Sequence, residues 1–318
     1  MSLSVAMLIA GGIAMPHAID LRTTAPTVAV ALWMSALLLR AVAGCALVFS
    51  LVVLLPQTQL FNAITHWCWH TVLPLLATHM GLDGHRLGDA AAILPALVLA
   101  GSAGSVGWGI ASATRSLRRL LRRHALGPGP GNSVIVGGRD VMLAAAGLLH
   151  PRIVVSAGAL TALDDEELAA GLEHERGHIA RQHRYLLLLG AMCRASSCFA
   201  PGGRHALTQL AFHLERDADR FALRRHDRFA LASAICKAAT LRHADPAFAT
   251  LGGTGVVERL RQLLDGHNHR RGGGSTALSL LAILMVAASA ASAVLVPAAG
   301  YAAANRVDRA QELRHCQR

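Results

Sequence analysis

Charge is scarce in this chain: Asp, Glu, Lys and Arg make up 15% of its 318 residues, while 53% are hydrophobic. An ordinary soluble domain carries about 25% charged residues, so this balance excludes that class and points to membrane spans. Aromatics are also few, at 4%. No basic stretch is interleaved with them and no recognised nucleic-acid motif occurs, so direct nucleic-acid binding is not expected. The six cysteines fall at spacings that form neither a disulfide framework nor a cysteine zinc site.

Long apolar runs are what the chain has instead. Four candidate spans emerge, at about 2–19, 27–55, 90–113 and 276–297, each near the length a bilayer core requires. The first lacks a positively charged leading region, so it reads as a retained anchor rather than a cleaved signal peptide. Arg115, Arg118, Arg119, Arg122 and Arg123 follow the third run, and Arg270 and Arg271 precede the fourth. The positive-inside rule therefore puts residues 114–275 in the cytoplasm. The loop from Gln57 to Asp89 carries Arg86 as its one fixed cation, which suits the outer side, and its Trp67 and Trp69 suit either the interface or packing against the spans. Four segments result: a three-span membrane region over 1–113, a cytoplasmic domain over 114–275, a fourth span over 276–297 and a short outer tail over 298–318.

Several smaller features fit this division. The cytoplasmic segment holds 23 Lys or Arg against 14 Asp or Glu, a balance of +9 that draws it toward anionic lipid. Arg40 is an ionisable residue inside the second span, where it either has a function or slides toward the interface. Gly101, Ser105 and Gly109 recur every four residues in the third span, a spacing that suits close helix packing within the bundle or in a homodimer. Cys193 and Cys198 read as core residues, and Cys68 and Cys316 both fall outside, where they are free to pair. Gly127–Gly131 and Gly272–Ser275 read as linkers bounding the cytoplasmic domain.

Chemistry concentrates at His174, Glu175, Arg176, Gly177 and His178. Residues four apart share a helix face, so both imidazoles reach one tetrahedral metal while Glu175 lies beside the first. This is the HExxH pattern of a zinc hydrolase, in which zinc acidifies water and the glutamate takes its proton during attack on a carbonyl. With 17 His and seven Glu in the chain, chance supplies only about 0.02 such motifs. Helix-start signals precede it: Asp164 as a cap, Glu167 three residues on, and Leu168, Leu172 and Ile179 as an apolar stripe.

Zinc requires a third protein ligand and one open position. Glu215 and Asp219 share a face of a second helical pattern over about 206–225. The first suits the metal, and the second suits the free N–H of a zinc-bound histidine. An apolar run, Tyr185–Ala200, separates the two halves of the site. One crossing there would put Glu215 on the wrong side, and about thirty residues are too few for two crossings. The run is therefore expected as a buried or membrane-resting helix.

In this order of motifs the chain resembles the gluzincin-type metallopeptidases, and within them the BlaR/MecR-type membrane antirepressor peptidases. The resemblance runs through Arg152–Leu160, Leu163–Leu168, Glu173–His178 and Glu215–Asp219, and it covers about residues 133–230. It implies a mixed α/β, mainly helical zincin domain with Arg152–Leu160 as the edge strand, within a multi-pass α-helical membrane protein of about four spans. It also implies one Zn2+ per chain on His174, His178 and Glu215, with Glu175 as general base and Asp219 behind a ligand. For stabilising the oxyanion the candidates are His205, His213 and His226.

The function expected is endoproteolysis of a cytoplasmic protein, such as a transcriptional repressor, in regulated signalling at the cell membrane. About twenty residues follow the fourth span, so the outer penicillin-binding domain of the sensor members is not expected, nor is acylation by a β-lactam. An HtpX-type housekeeping peptidase is the alternative within the same chemistry, although those members carry membrane helices between the motif and the glutamate. A non-catalytic zinc scaffold is the alternative outside it. Glu175 argues against the scaffold, because a structural site needs no general base and has four protein ligands.

Overall fold

The protein is described here from a computed structural model. It describes residues 3–49, 84–240 and 255–265, with six isolated helical positions between 277 and 287. Trp67, Trp69, Cys68, Cys316, Gly272–Ser275 and most of the expected fourth span lie outside the described residues.

Two helices open the chain, α1 (Leu3–Ala18) and α2 (Pro26–Phe49), and a long helix, α3 (Gly84–His124), leads into the sheet. The sheet contains β1 (Ala125–Pro128), β2 (Val134–Val136), β3 (Leu143–Ala146) and β4 (Arg152–Ser156) in the order β1-β2-β4-β3. Strands β2 and β4 are parallel and the other pairs antiparallel. Six helices complete the described fold: α4 (Ala157–Ala162), α5 (Asp165–Ala180), α6 (His183–Ser196), α7 (Gly203–Ala222), α8 (Arg228–Thr240) and α9 (Val256–Leu264).

The sheet corrects two expectations. Strand β4 is interior, flanked by β2 and β3, and all but its first residue are buried. A strand covered on both faces and both sides is naturally a continuous apolar run such as Ile153–Val155. The edge next to α5 is instead β3, whose short Leu-Ala-Ala-Ala sequence carries little strand signal. Gly127–Gly131 is not a linker either: it forms the end of β1 and a short 3-10 turn, Pro130–Asn132, within the β1–β2 hairpin.

Two apolar cores meet at α5 and α7. One joins β3, β4, α4, α5, α8 and α9 through residues such as Leu143, Val155, Leu172, Leu231 and Ile235. The other joins α1, α2, α6 and α7 through Leu32, Leu37, Cys193, Leu210 and Leu214, and Met285 packs into it. Helix α6 thus occupies the expected apolar run, packed against α2, α3 and α7. Cys193 belongs to this core, whereas Cys198 is exposed, because it falls beyond α6 in the turn that leads to α7.

Gly177 draws the two halves of the site together. A Cβ there would stand 3.1 Å from Phe221 Cβ and 3.3 Å from the Ala218 Cα, so the missing side chain lets α5 and α7 approach backbone to backbone. At Gly101 and Gly109 an added Cβ meets nothing within 4 Å, so the small-residue face of α3 is not packed by any described residue.

Two described helices are long and apolar enough to cross a membrane, Pro26–Phe49 and Leu97–Ser116. About half of the first is buried within the fold, and the second is exposed. Helix α1, with 16 residues, extends only about 24 Å, short of a bilayer core of about 30 Å.

Candidate metal centre

Helix α5 begins on a capping box: the Asp164 side chain accepts from the Glu167 amide at 2.8 Å, and Glu167 Oε2 accepts from the Asp164 amide at 2.9 Å. Three acidic residues in its first turn favour the positive end of the helix dipole. Glu167 also accepts from Ser233 and Lys237 of α8, which ties the start of α5 to the rest of the domain.

One turn from its end, α5 presents His174 and His178 to α7. Their Nε2 atoms are 3.2 Å apart, and Glu215 faces both, with Oε2 3.6 Å from His174 Nε2 and Oε1 3.4 Å from His178 Nε2. One ligand atom from each residue lies within 4.8 Å of the others, and all three residues are buried or nearly so. Two imidazole nitrogens and a carboxylate are a borderline-soft donor set suited to zinc, and a tetrahedral site with bonds of 2.0–2.1 Å has edges of about 3.3 Å. The 3.2 Å nitrogen separation fits such an ion.

Partners behind the donors orient each one. His174 Nδ1 is 2.9 Å from Asp219 Oδ1, as the ExxxD spacing predicts. His178 Nδ1 lies 2.9 Å from His183 Nδ1, whose Nε2 lies 3.2 Å from Asp217 Oδ2. With His178 Nε2 turned toward the donors, its Nδ1–H donates to His183 Nδ1, and His183 Nε2–H donates to Asp217. Arg181 completes this chain with an ion pair to Asp217 at 3.1 Å.

Arg259, from α9, is the part of the centre that sequence reasoning missed. Its side chain is fully buried. It donates through Nη2 and Nε to both Asp219 oxygens, at 2.6 and 2.8 Å, and through Nη1 to Glu215 Oε2 at 2.7 Å. Only a general signal pointed there, namely that a buried pair of carboxylates requires a cation. Position 259 is 44 residues past Glu215, outside any local spacing rule.

Glu175 points to the sheet. Its Oε2 accepts from the Ala145 amide at 2.7 Å. Strand β3 turns the Met142 carbonyl toward β4, where it accepts from the Ser156 amide, so Leu143 and Ala145 direct their backbone groups to the open edge. The general-base candidate thus holds one amide of a strand edge that no other described strand pairs.

Burial raises the Glu175 carboxyl to about 7, against the pull of His174. Burial opposes protonation of His174, but Asp219 and Glu215 override it and raise this imidazole to about 9. Burial lowers His178 to about 3, with Glu215 opposing. Burial disfavours charge on Glu215 and Asp219 too, yet His174 and Arg259 hold both below the usual carboxylate range.

The three oxyanion candidates do not join the cluster. His213 is buried against Arg216, with its Nδ1 3.0 Å from Nη1, and Arg216 reaches the carbonyls of Leu21 and Thr24 in the α1–α2 turn. His205 stacks on His17 at the far end of α7. His226 follows the C-terminus of α7 and has no contact with the triad among the described residues. A cavity of about 700 Å³ lies along β1, β2 and β4, lined by Asn132, Arg152, Arg176 and Ile179 among others; the donors do not line it.

Residues 112–242 match Peptidase family M48. The match spans the sheet, the HExxH helix and α7, and it supports a metallopeptidase with a possible metal site on His174, His178 and Glu215. Arg259 lies beyond the matched residues. No curated protein matches the sequence.

Proposed function

We propose that the protein is a membrane-bound zinc-dependent endopeptidase. The observation that carries this reading is the convergence of His174, His178 and Glu215, with Glu175 hydrogen-bonded to the open edge of β3. An extended substrate adds to that edge as a further strand, hydrogen-bonded to the Leu143 backbone and the Ala145 carbonyl, since the Ala145 amide is held by Glu175. His174, His178 and Glu215 would hold the zinc, which when bound would supply Lewis-acid polarisation of the scissile carbonyl. Glu175, with its pKa near 7, takes a proton from the attacking water and returns it to the leaving amine. Asp219 and the His183–Asp217 pair hold the two imidazoles in their ligating tautomers.

The two apolar helices and the basic flanks of residues 114–275 support anchoring with the catalytic domain on the cytoplasmic side. A reporter fused near Gly272 tests that side, and a periplasm-type signal there overturns it. Within this location we favour regulated cleavage of a cytoplasmic protein such as a transcriptional repressor. A quality-control role of HtpX type is the second reading, because the M48 match carries nothing specific to the antirepressor group. Comparing the proteomes of wild type and Glu175→Gln separates the two. Accumulation of one or two regulators supports the first, and a broad set of misfolded membrane proteins supports the second.

A further inference from the structure

Arg40, in the middle of α2, is 3% exposed. Its Nη2 donates to His17 Nε2 at 2.9 Å and its Nε to the Pro201 carbonyl at 3.4 Å. Both acceptors are neutral, and Nη1 is buried with no partner among the described residues. Neither α2 nor the stretch 183–214 contains an Asp or Glu. A buried guanidinium without a counter-charge is costly, so the chain gains from an anion at this point.

The surroundings supply further donors. Gly202 caps α7 in the left-handed region (φ 82°), with no side-chain cap and no acid in the first turn. The amides that open this 20-residue helix thus lack a side-chain acceptor, and the helix dipole adds positive potential. A Cβ on Gly202 would come within 3.0 Å of Arg40 Nη2, which puts the guanidinium at the helix end. The Trp33 ring meets both His17 and His205 edge-on, and its buried Nε1 also has no partner among the described residues. His17 and His205 stack on each other and are exposed, as are Pro201 and Gly202, so no described residue covers the rim.

We propose that the N-terminus of α7, with Arg40, Trp33, His17 and His205, binds a phosphate-class oxyanion. Donors converging from a guanidinium, an indole, two imidazoles and a helix end suit a group with several acceptor oxygens. Inorganic phosphate and a phospholipid headgroup share this chemistry. The N-terminus of α7 is twelve residues before Glu215, about 18 Å along the helix, and the site does not depend on the peptidase reading.

Thermal unfolding and tryptophan fluorescence of the full chain test the proposal. The probes are inorganic phosphate at constant ionic strength, with the chain in non-ionic detergent, and nanodiscs of zwitterionic lipid with or without an anionic phospholipid. For wild type, phosphate at ten times Kd is expected to raise Tm by roughly 3–6 °C. Arg40→Met removes the uncompensated charge, so it keeps the ligand-free Tm while weakening binding at least about tenfold. His205→Glu alters an exposed first-turn position and supplies an internal carboxylate; it raises the ligand-free Tm and abolishes the response. A response to inorganic phosphate assigns the site to a free ion, and a response to anionic lipid alone assigns it to a headgroup. No response to either probe, or an undiminished response in both variants, overturns the proposal.

Discussion

Removing Arg259 is the sharpest perturbation of the buried centre. Three of its hydrogen bonds, of 2.6–2.8 Å, run to two carboxylates, and its side chain is fully buried. In the metal-free protein, Asp219 and Glu215 are balanced by Arg259 and by a His174 imidazole that stays protonated up to about pH 9. Arg259→Gln keeps polar atoms there but leaves one buried negative charge uncompensated. Breaking a buried pair in this way costs about 3–5 kcal/mol, which corresponds to a fall in Tm of roughly 6–20 °C for a domain of this size. Arg259→Lys keeps the charge but loses the two-pronged contact with Asp219, so it should recover less than half of the loss. Thermal unfolding of metal-free wild type and both variants, followed by near-ultraviolet circular dichroism, measures the difference. A loss in Arg259→Gln below about 1 kcal/mol would refute the reasoning, since a buried carboxylate pair left short of one cation cannot be that cheap.

Metal affinity should rise with pH, because His174 must lose its proton before it can ligate. With a pKa of about 9, the deprotonated fraction grows from about 1/100 at pH 7 to about one half at pH 9, an increase of about 50-fold in apparent affinity that levels off above pH 9. Chelator competition across that range checks it, and a flat profile contradicts it. Metal-free stability runs the other way. The raised pKa means that the folded state binds the extra proton, so this contribution is full below about 6.5 and is lost as pH rises through about 9. Replacing His183 with Ala leaves the His178 Nδ1–H without its acceptor and should weaken metal binding about 10–100-fold. His183→Asn should restore part of this if the loss comes from the tautomer chain, whereas equal weakening in the two variants argues for simple loss of packing.

What could be read from the sequence followed short-range rules. The capping box at Asp164 and Glu167, the one-turn spacing of His174 and His178, and the ExxxD spacing of Glu215 and Asp219 each depend on residues three or four apart on one helix. The structure brings these side chains together as their spacings implied. Long-range pairing was not legible. Whether β3 or β4 forms the sheet edge is set by strand order, and the apolar β4 carried the stronger strand signal while the alanines of β3 carried almost none. Arg259 was hidden for the same reason: among many surface arginines, nothing local distinguishes the one that a carboxylate pair buries. The glycines and prolines of 127–131 read as a linker, yet they form the turn of a hairpin. Arg40 did stand out as a charge in an apolar helix, although its buried neighbours became visible only in three dimensions.

The central claim is that Glu175 is the general base of a metal-dependent peptidase, and Glu175→Gln tests it most directly. The amide keeps the size and the contact distance of the carboxylate but cannot take a proton. The purified variant should bind about one zinc per chain with wild-type affinity within a few-fold, because Glu175 is not a ligand, and should lose cleavage of itself or of a peptide substrate by at least about 10²-fold. Cleavage at the wild-type rate by the zinc-loaded variant would contradict the account.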